Sequence, residues 1–238
     1  MSARHDVELT REWLRAGTAH FTATLDGLTD DQLSGPSALP GWTRAHVVGH
    51  VARNAEALMR LATWAHTGVE NPMYPEPGQR AADIEASATL PAPVLRADVA
   101  ATAARLEEAL DALTPDQWGA TVRSALGRDI PAAEIPWMRI REMWLHAVDL
   151  AASATVHDLP AGVVDILIDD VAAVLSGKDG CPDLLLAPSD RPRTWRLGAG
   201  PDTADRPRVT APATSVTGWL TGRVPSEELP APDLPKWI

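Results

Sequence analysis

Two short segments of this chain can each offer metal ligands from one face of a helix. GWTRAHVVGHVARNAEAL carries His46 and His50, and PWMRIREMWLHAVDL carries Glu142 and His146. Residues four apart on a helix lie one turn above each other, so each pair can converge on one point. His50 is distant in sequence from Glu142 and His146, so only a folded domain brings the three together. Two imidazoles and one carboxylate leave coordination positions open, which is the pattern of a catalytic rather than a structural metal. The set suits a divalent ion, with zinc the first expectation.

Spacing alone does not decide this. Taken singly, each histidine also reads as a buried ring satisfied by hydrogen bonds, and Glu142 as half of a surface pair. His46 is a rival ligand one turn before His50, or a residue that orients a ligand or a loop.

Around those residues the composition sets limits. The chain has 238 residues, 45% of them apolar, enough for one large or two modest domains. Its net charge of -11 argues against nucleic acid and against anionic membrane surfaces as partners. An anionic substrate would therefore need a locally placed cation. Arginine far outnumbers lysine, and the lysines are Lys178 and Lys236. Cys181 stands alone, so no intramolecular disulfide can form. The start, MSARHDVELTREWL, lacks the apolar core of a signal peptide. No apolar run approaches the roughly 20 residues of a membrane span. A cytoplasmic protein with no membrane partner is expected, working as a monomer or weak oligomer.

The elements that must position the ligands read as helices. The first 152 residues predict an all-helical domain. Helix one spans about 5–28. Thr43 is a plausible N-cap for helix two, which runs to about Thr67 and stops at Gly68. VENPMYPEPGQR carries three prolines and cannot be a regular helix. A third helix spans about 93–113 and a fourth about 132–153. Four long helices suggest a four-helix bundle. Beyond them the composition shifts, with ten of the 21 prolines from Pro182 onward. LLLAPSD, TWRLGAG and RPRVTAP read as short strands between the helical segments AGVVDILIDDVAAVLSG and TSVTGWLTGR. The expectation is an α+β chain: a bundle over 1–155 and a small α+β domain over 156–238. The tail LPAPDLPKWI reads as extended, packing through Trp237 and Ile238.

Four stretches carry a family resemblance: GWTRAHVVGHVARNAEAL, WAHTGVENPMY with Arg80 shortly after, PWMRIREMWLHAVDL, and the late pair Gly222-Arg223. The chain resembles the mycothiol-dependent maleylpyruvate isomerases, metalloenzymes with a DinB-like helical bundle and a small C-terminal α/β domain. The resemblance implies His50, Glu142 and His146 as metal ligands. It implies catalytic roles for Arg80 and Arg223, with mycothiol as the thiol cofactor and a maleylpyruvate-like dicarboxylate as substrate.

The implied reaction converts maleylpyruvate to fumarylpyruvate in gentisate breakdown. A C=C bond does not rotate, so a nucleophile must add first and leave later. A free thiol of pKa about 8.5 is only a few per cent ionised at neutral pH, and a metal-bound thiol is deprotonated outright. Addition drives negative charge onto the substrate, which arginines can stabilise. Read alone, Arg80 is a loop arginine in a surface pair and Arg223 an arginine favoured by a helix C-terminus. The resemblance is what raises both.

Other residues read more plainly. Cys181, in a turn before a strand with no histidine close in sequence, reads as structural. Trp137 and Trp144, seven apart, read as core. Trp42 lines the mouth of the site or staples the entry of helix two. The competing functions are a mycothiol S-transferase on the same metal site and a non-catalytic metal- or thiol-binding regulator. Two arginines suit a dicarboxylate better than a neutral electrophile, which favours the isomerase.

Overall fold

A helix forms where a cap or a proline starts it and an apolar stripe gives it something to bury, and the four long helices of the first unit each have such a start: Asp6, Thr43, Pro91 with Pro93, and Pro136. The structure is a computed structural model that describes residues 3–201 and 205–237. The chain divides into two compact units, Met1–Ala154 and Thr155–Ile238.

In the first unit α1 spans Val7–Asp26, capped by the Asp6 side chain, which accepts from Leu9 N–H. α2 spans Arg44–Thr67. Thr43 and His46 close a capping box at its start, and Gly68 ends it in the left-handed conformation. A shorter helix, α3, spans Gln79–Ala88. α4 spans Ala92–Asp111 behind Pro91. α5 spans Ile135–Asp149 with Pro136 in its first turn, where the missing N–H costs nothing. α2 is the central element, packing on α3, α4 and α5, while α1 packs on α5. The core is built from Phe21, Val47, Val51, Leu58, Leu61, Leu110, Trp137 and Ile140, all fully covered.

The all-helical expectation for this unit needs correction. β1 (Thr121–Arg123) and β2 (Asp129–Pro131) form a small antiparallel hairpin in which Val122 faces Ile130. Gly127, at φ 75°, makes its turn. The fourth long helix is also shorter than the 132–153 expected. Residues 132–134 form a single 3-10 turn, and the helix stops at Asp149.

The second unit carries the expected mixture. α6 (Ala161–Ser176) and α7 (Ala213–Leu220) pack on each other. β3 (Leu184–Leu186) lies between β4 (Trp195–Leu197), its antiparallel neighbour, and β5 (Arg208–Val209), its parallel neighbour. Leu186, Leu197 and Val209 bury one face of this sheet, and Leu167, Val171 and Leu175 of α6 are buried with them. The chain is α+β. The tail is extended up to Trp237, whose carbonyl accepts from Lys178 Nζ at 2.8 Å; Ile238 lies outside the described residues. No described helix is long and apolar enough to cross a membrane.

Candidate metal centre

The first unit brings His50, Glu142 and His146 to one point. One ligand atom from each lies within 4.8 Å of the others. His50 stands in the second turn of α2, and Glu142 and His146 one turn apart on α5. His50 Nε2 is 2.8 Å from Glu142 Oε2, and His146 Nε2 is 3.0 Å from the same oxygen. The two imidazole rings meet edge to face at 4.8 Å. His50 is buried, while Glu142 and His146 are only partly covered, so the cluster has one closed and one open side.

His46 does not join the cluster. Its Nδ1 accepts from Thr43 N–H at 3.2 Å while its own N–H donates to Thr43 Oγ1, so the ring is used to start α2. Its Nε2 faces Glu85 at 3.4 Å. Trp42, just ahead of the cap, stands against His50 with ring centroids 5.6 Å apart and against His46 at 6.2 Å.

Two supports were not singled out in the sequence. Asp149, with a fully buried side chain, bonds His146 Nδ1 through Oδ2 at 2.8 Å. That bond fixes the ring so that Nε2 points at Glu142, the arrangement in which a second carboxylate orients a ligating imidazole. The spacing His146-x-x-Asp149 is the signal that was available. Arg44 holds the end of α5, donating from Nε to Leu150 O at 2.6 Å and from Nη2 to Ala151 O at 3.1 Å. Ala151, at φ 49°, is the one non-glycine in the left-handed region among the described residues, and it marks the sharp stop of this helix.

The electrostatics of the three groups follow from burial and from one another. Burial opposes charge on Glu142, but the hydrogen bonds from His146 and His50 win and hold the carboxyl well below the usual range. Burial lowers the His50 pKa despite Glu142. For His146 burial also pulls downward, but Asp149 and Glu142 outweigh it and the pKa rises. A carboxylate and a neutral His50 already present two of the forms that bind a divalent ion. The donor set therefore fits such an ion.

Arg80 lies in the first turn of α3, exposed, with Nη2 3.4 Å from His50 Nδ1. Tyr74 is hydrogen-bonded to it; burial raises the phenol pKa and Arg80 pulls it back. Arg223 is in the second unit, just past α7, donating from Nη1 to Thr221 O at 2.6 Å. Cys181 is half-buried, and burial together with Asp183 pushes its thiol pKa up, away from a reactive thiolate. Trp137 and Trp144 are core.

Residues 14–151 match the family model of the mycothiol maleylpyruvate isomerase N-terminal domain. The chain belongs to this family. It is similar over its full length to a crystal structure of the mycothiol-dependent maleylpyruvate isomerase. The identity is 34%, with 100% of both chains covered and a TM-score of 0.90. A histidine-to-alanine mutant of that isomerase is matched equally well, again at 34% identity and TM-score 0.90. No curated protein sequence matches the chain. Membership of the family accounts for the α+β plan of a helical first unit followed by a small sheet.

Proposed function

We propose that this protein is a mycothiol-dependent cis-trans isomerase that converts maleylpyruvate to fumarylpyruvate in gentisate breakdown. His50, Glu142 and His146 would hold a divalent ion, zinc in the first instance. The observation that carries the reading is the convergence of these three donors from α2 and α5 within a scaffold shared over its full length with isomerases of that name.

A bound ion would supply a thiolate from the cofactor's thiol at neutral pH, and reversible thiolate addition to the cis double bond is what allows rotation about it. The chain's own residues do the rest. Asp149 keeps His146 in one ring orientation, so its Nε2 needs no reorganisation. Arg80 offers a guanidinium beside His50, suited to a substrate carboxylate or to the charge that addition drives onto the carbonyl oxygen. Trp42 stands beside His50, with ring centroids 5.6 Å apart. Arg223 is assigned the second cationic role on the family resemblance. The reading places the enzyme in the cytoplasm as a monomer or weak oligomer.

The test is the ultraviolet absorbance of maleylpyruvate with zinc-loaded protein, with and without mycothiol, followed by product identification. Conversion to fumarylpyruvate only with mycothiol present is the expected result. A stable thiol adduct in place of fumarylpyruvate would assign the protein as a mycothiol S-transferase. Stoichiometric zinc with no turnover on either would make it a binding protein.

A further inference from the structure

We propose that Arg139 is a positioning residue for the metal ligands, holding α5 against α2 in the register that brings Glu142 to His50. Arg139 is 1% exposed, the most deeply buried guanidinium among the described residues. It sits three residues before Glu142 and seven before His146, so all three share one stripe of α5. Its Nη1 donates to Val51 O at 2.7 Å and to Asn54 Oδ1 at 2.8 Å. Val51 directly follows His50, and Asn54 lies one turn further along α2. One nitrogen of α5 is thus pinned to two oxygens beside the ligand that α2 contributes. Asn54 is itself buried, so neither partner of this bond can turn out to solvent.

The arrangement is an expensive way to pack two helices. Both acceptors are neutral, and Nη2 has no partner among the described residues. Replacing a buried polar group together with its partners by apolar side chains is often neutral for stability, so packing alone does not call for a guanidinium here. An apolar residue would hold the helices together but would not fix their register at this place. The guanidinium does, because its Nη1 reaches two points of α2 at once. A register error of a fraction of an ångström is felt at the ligand atoms, since Glu142 Oε2 must meet both imidazoles. The cost and the location together favour register as the role of Arg139.

This inference rests on the metal reading above, and its test separates the two. Zinc affinity of Arg139→Met, Arg139→Lys and Asn54→Ala is measured by chelator competition, beside the absorption bands of the cobalt-substituted proteins and the melting of the metal-free ones. Arg139→Met removes a buried charge but leaves the buried Asn54 oxygen without its donor, so the metal-free protein is expected to fold with a melting temperature near or somewhat below the wild type, yet to bind zinc about 10–100-fold more weakly, with altered cobalt bands. Arg139→Lys, which keeps a donor and the charge but on a flexible stem in place of the planar guanidinium, recovers only part of the affinity. Asn54→Ala, which keeps Arg139, weakens zinc binding in the same direction by a smaller factor and decides the matter if Arg139→Met fails to fold. Variants that bind zinc within about twofold of wild type, with unchanged cobalt bands, would overturn the role of Arg139. Absence of zinc binding in the wild type would overturn the metal reading and this inference with it.

Discussion

Asp149 and His146 show how one hydrogen bond sets both geometry and pH response. His146 is pulled down by burial and raised, by a larger total, by Asp149 and then Glu142. Because its folded pKa is raised, the stability it contributes is fully present below about 6.5 and lost as pH rises through the raised value. A metal must displace that same proton. His50, lowered by burial, stays neutral to below about 6.5, and Glu142 stays ionised throughout. The window of proton competition therefore belongs to His146 and opens above about 6.5. Zinc affinity measured at pH 8, 7 and 6 is expected to fall progressively. In Asp149→Asn one of the two raising partners is gone, so the fall begins at lower pH, while affinity at pH 8 drops about 10–100-fold. A flat affinity between pH 8 and 6 would remove His146 from the ligand set. Helical spacing pairs Glu142 with His146 in the sequence, while the preference for His50 over His46 came from the family resemblance. Asp149 was not legible, since a carboxylate three residues from a histidine is common and its burial depends on packing.

α2 and α3 show what an element owes to its smallest residues. α3 carries Arg80, and it approaches α2 so closely that a Cβ built on Gly49 would lie 2.6 Å from Ser87 Cβ. Gly to Ala in a helix interior ordinarily gains about 1 kcal/mol. Here the contact cannot relax at the end of a flexible chain, because Ser87 is buried and its hydroxyl is held by Asp83 O at 2.7 Å. Overpacking of this kind costs about 1–3 kcal/mol. Gly49→Ala is therefore expected to lower the melting temperature, and adding Ser87→Gly to restore part of it, measured as a double-mutant cycle. A Gly49→Ala protein that melts above wild type would show that α3 is free to move away. Sequence patterning located α2 almost to the residue, because Thr43 and Gly68 are strong start and stop signals. It missed α3, which buries little besides Ile84 and Ser87 and so shows no apolar stripe. It missed the β1–β2 hairpin because three-residue strands are too short to show alternation. The three short strands of the second unit were legible as segments set between prolines and glycines, of which Leu184–Leu186 is an apolar run.

At the scale of the whole molecule, charge poses the problem that the arginines must solve. A chain of net charge -11 repels a dicarboxylate, so productive binding depends on cations placed locally. Arg80 is such a cation in the first unit, beside His50. The family resemblance gives the second unit one as well, in Arg223. If the second unit contributes to the reaction through that side chain, Arg223→Ala should leave zinc affinity and melting temperature unchanged. Turnover of maleylpyruvate should fall by about 10²–10³, the loss of one charge-stabilising contact worth roughly 3–4 kcal/mol. The loss should appear in kcat more than in KM, because charge that develops during addition is stabilised only in the transition state. Arg80→Ala, which removes a cation beside a ligand, should raise KM as well. An Arg223→Ala enzyme with wild-type kcat would place the whole of the chemistry in the first unit. A loss in KM alone would make Arg223 a group that binds substrate without acting on the barrier.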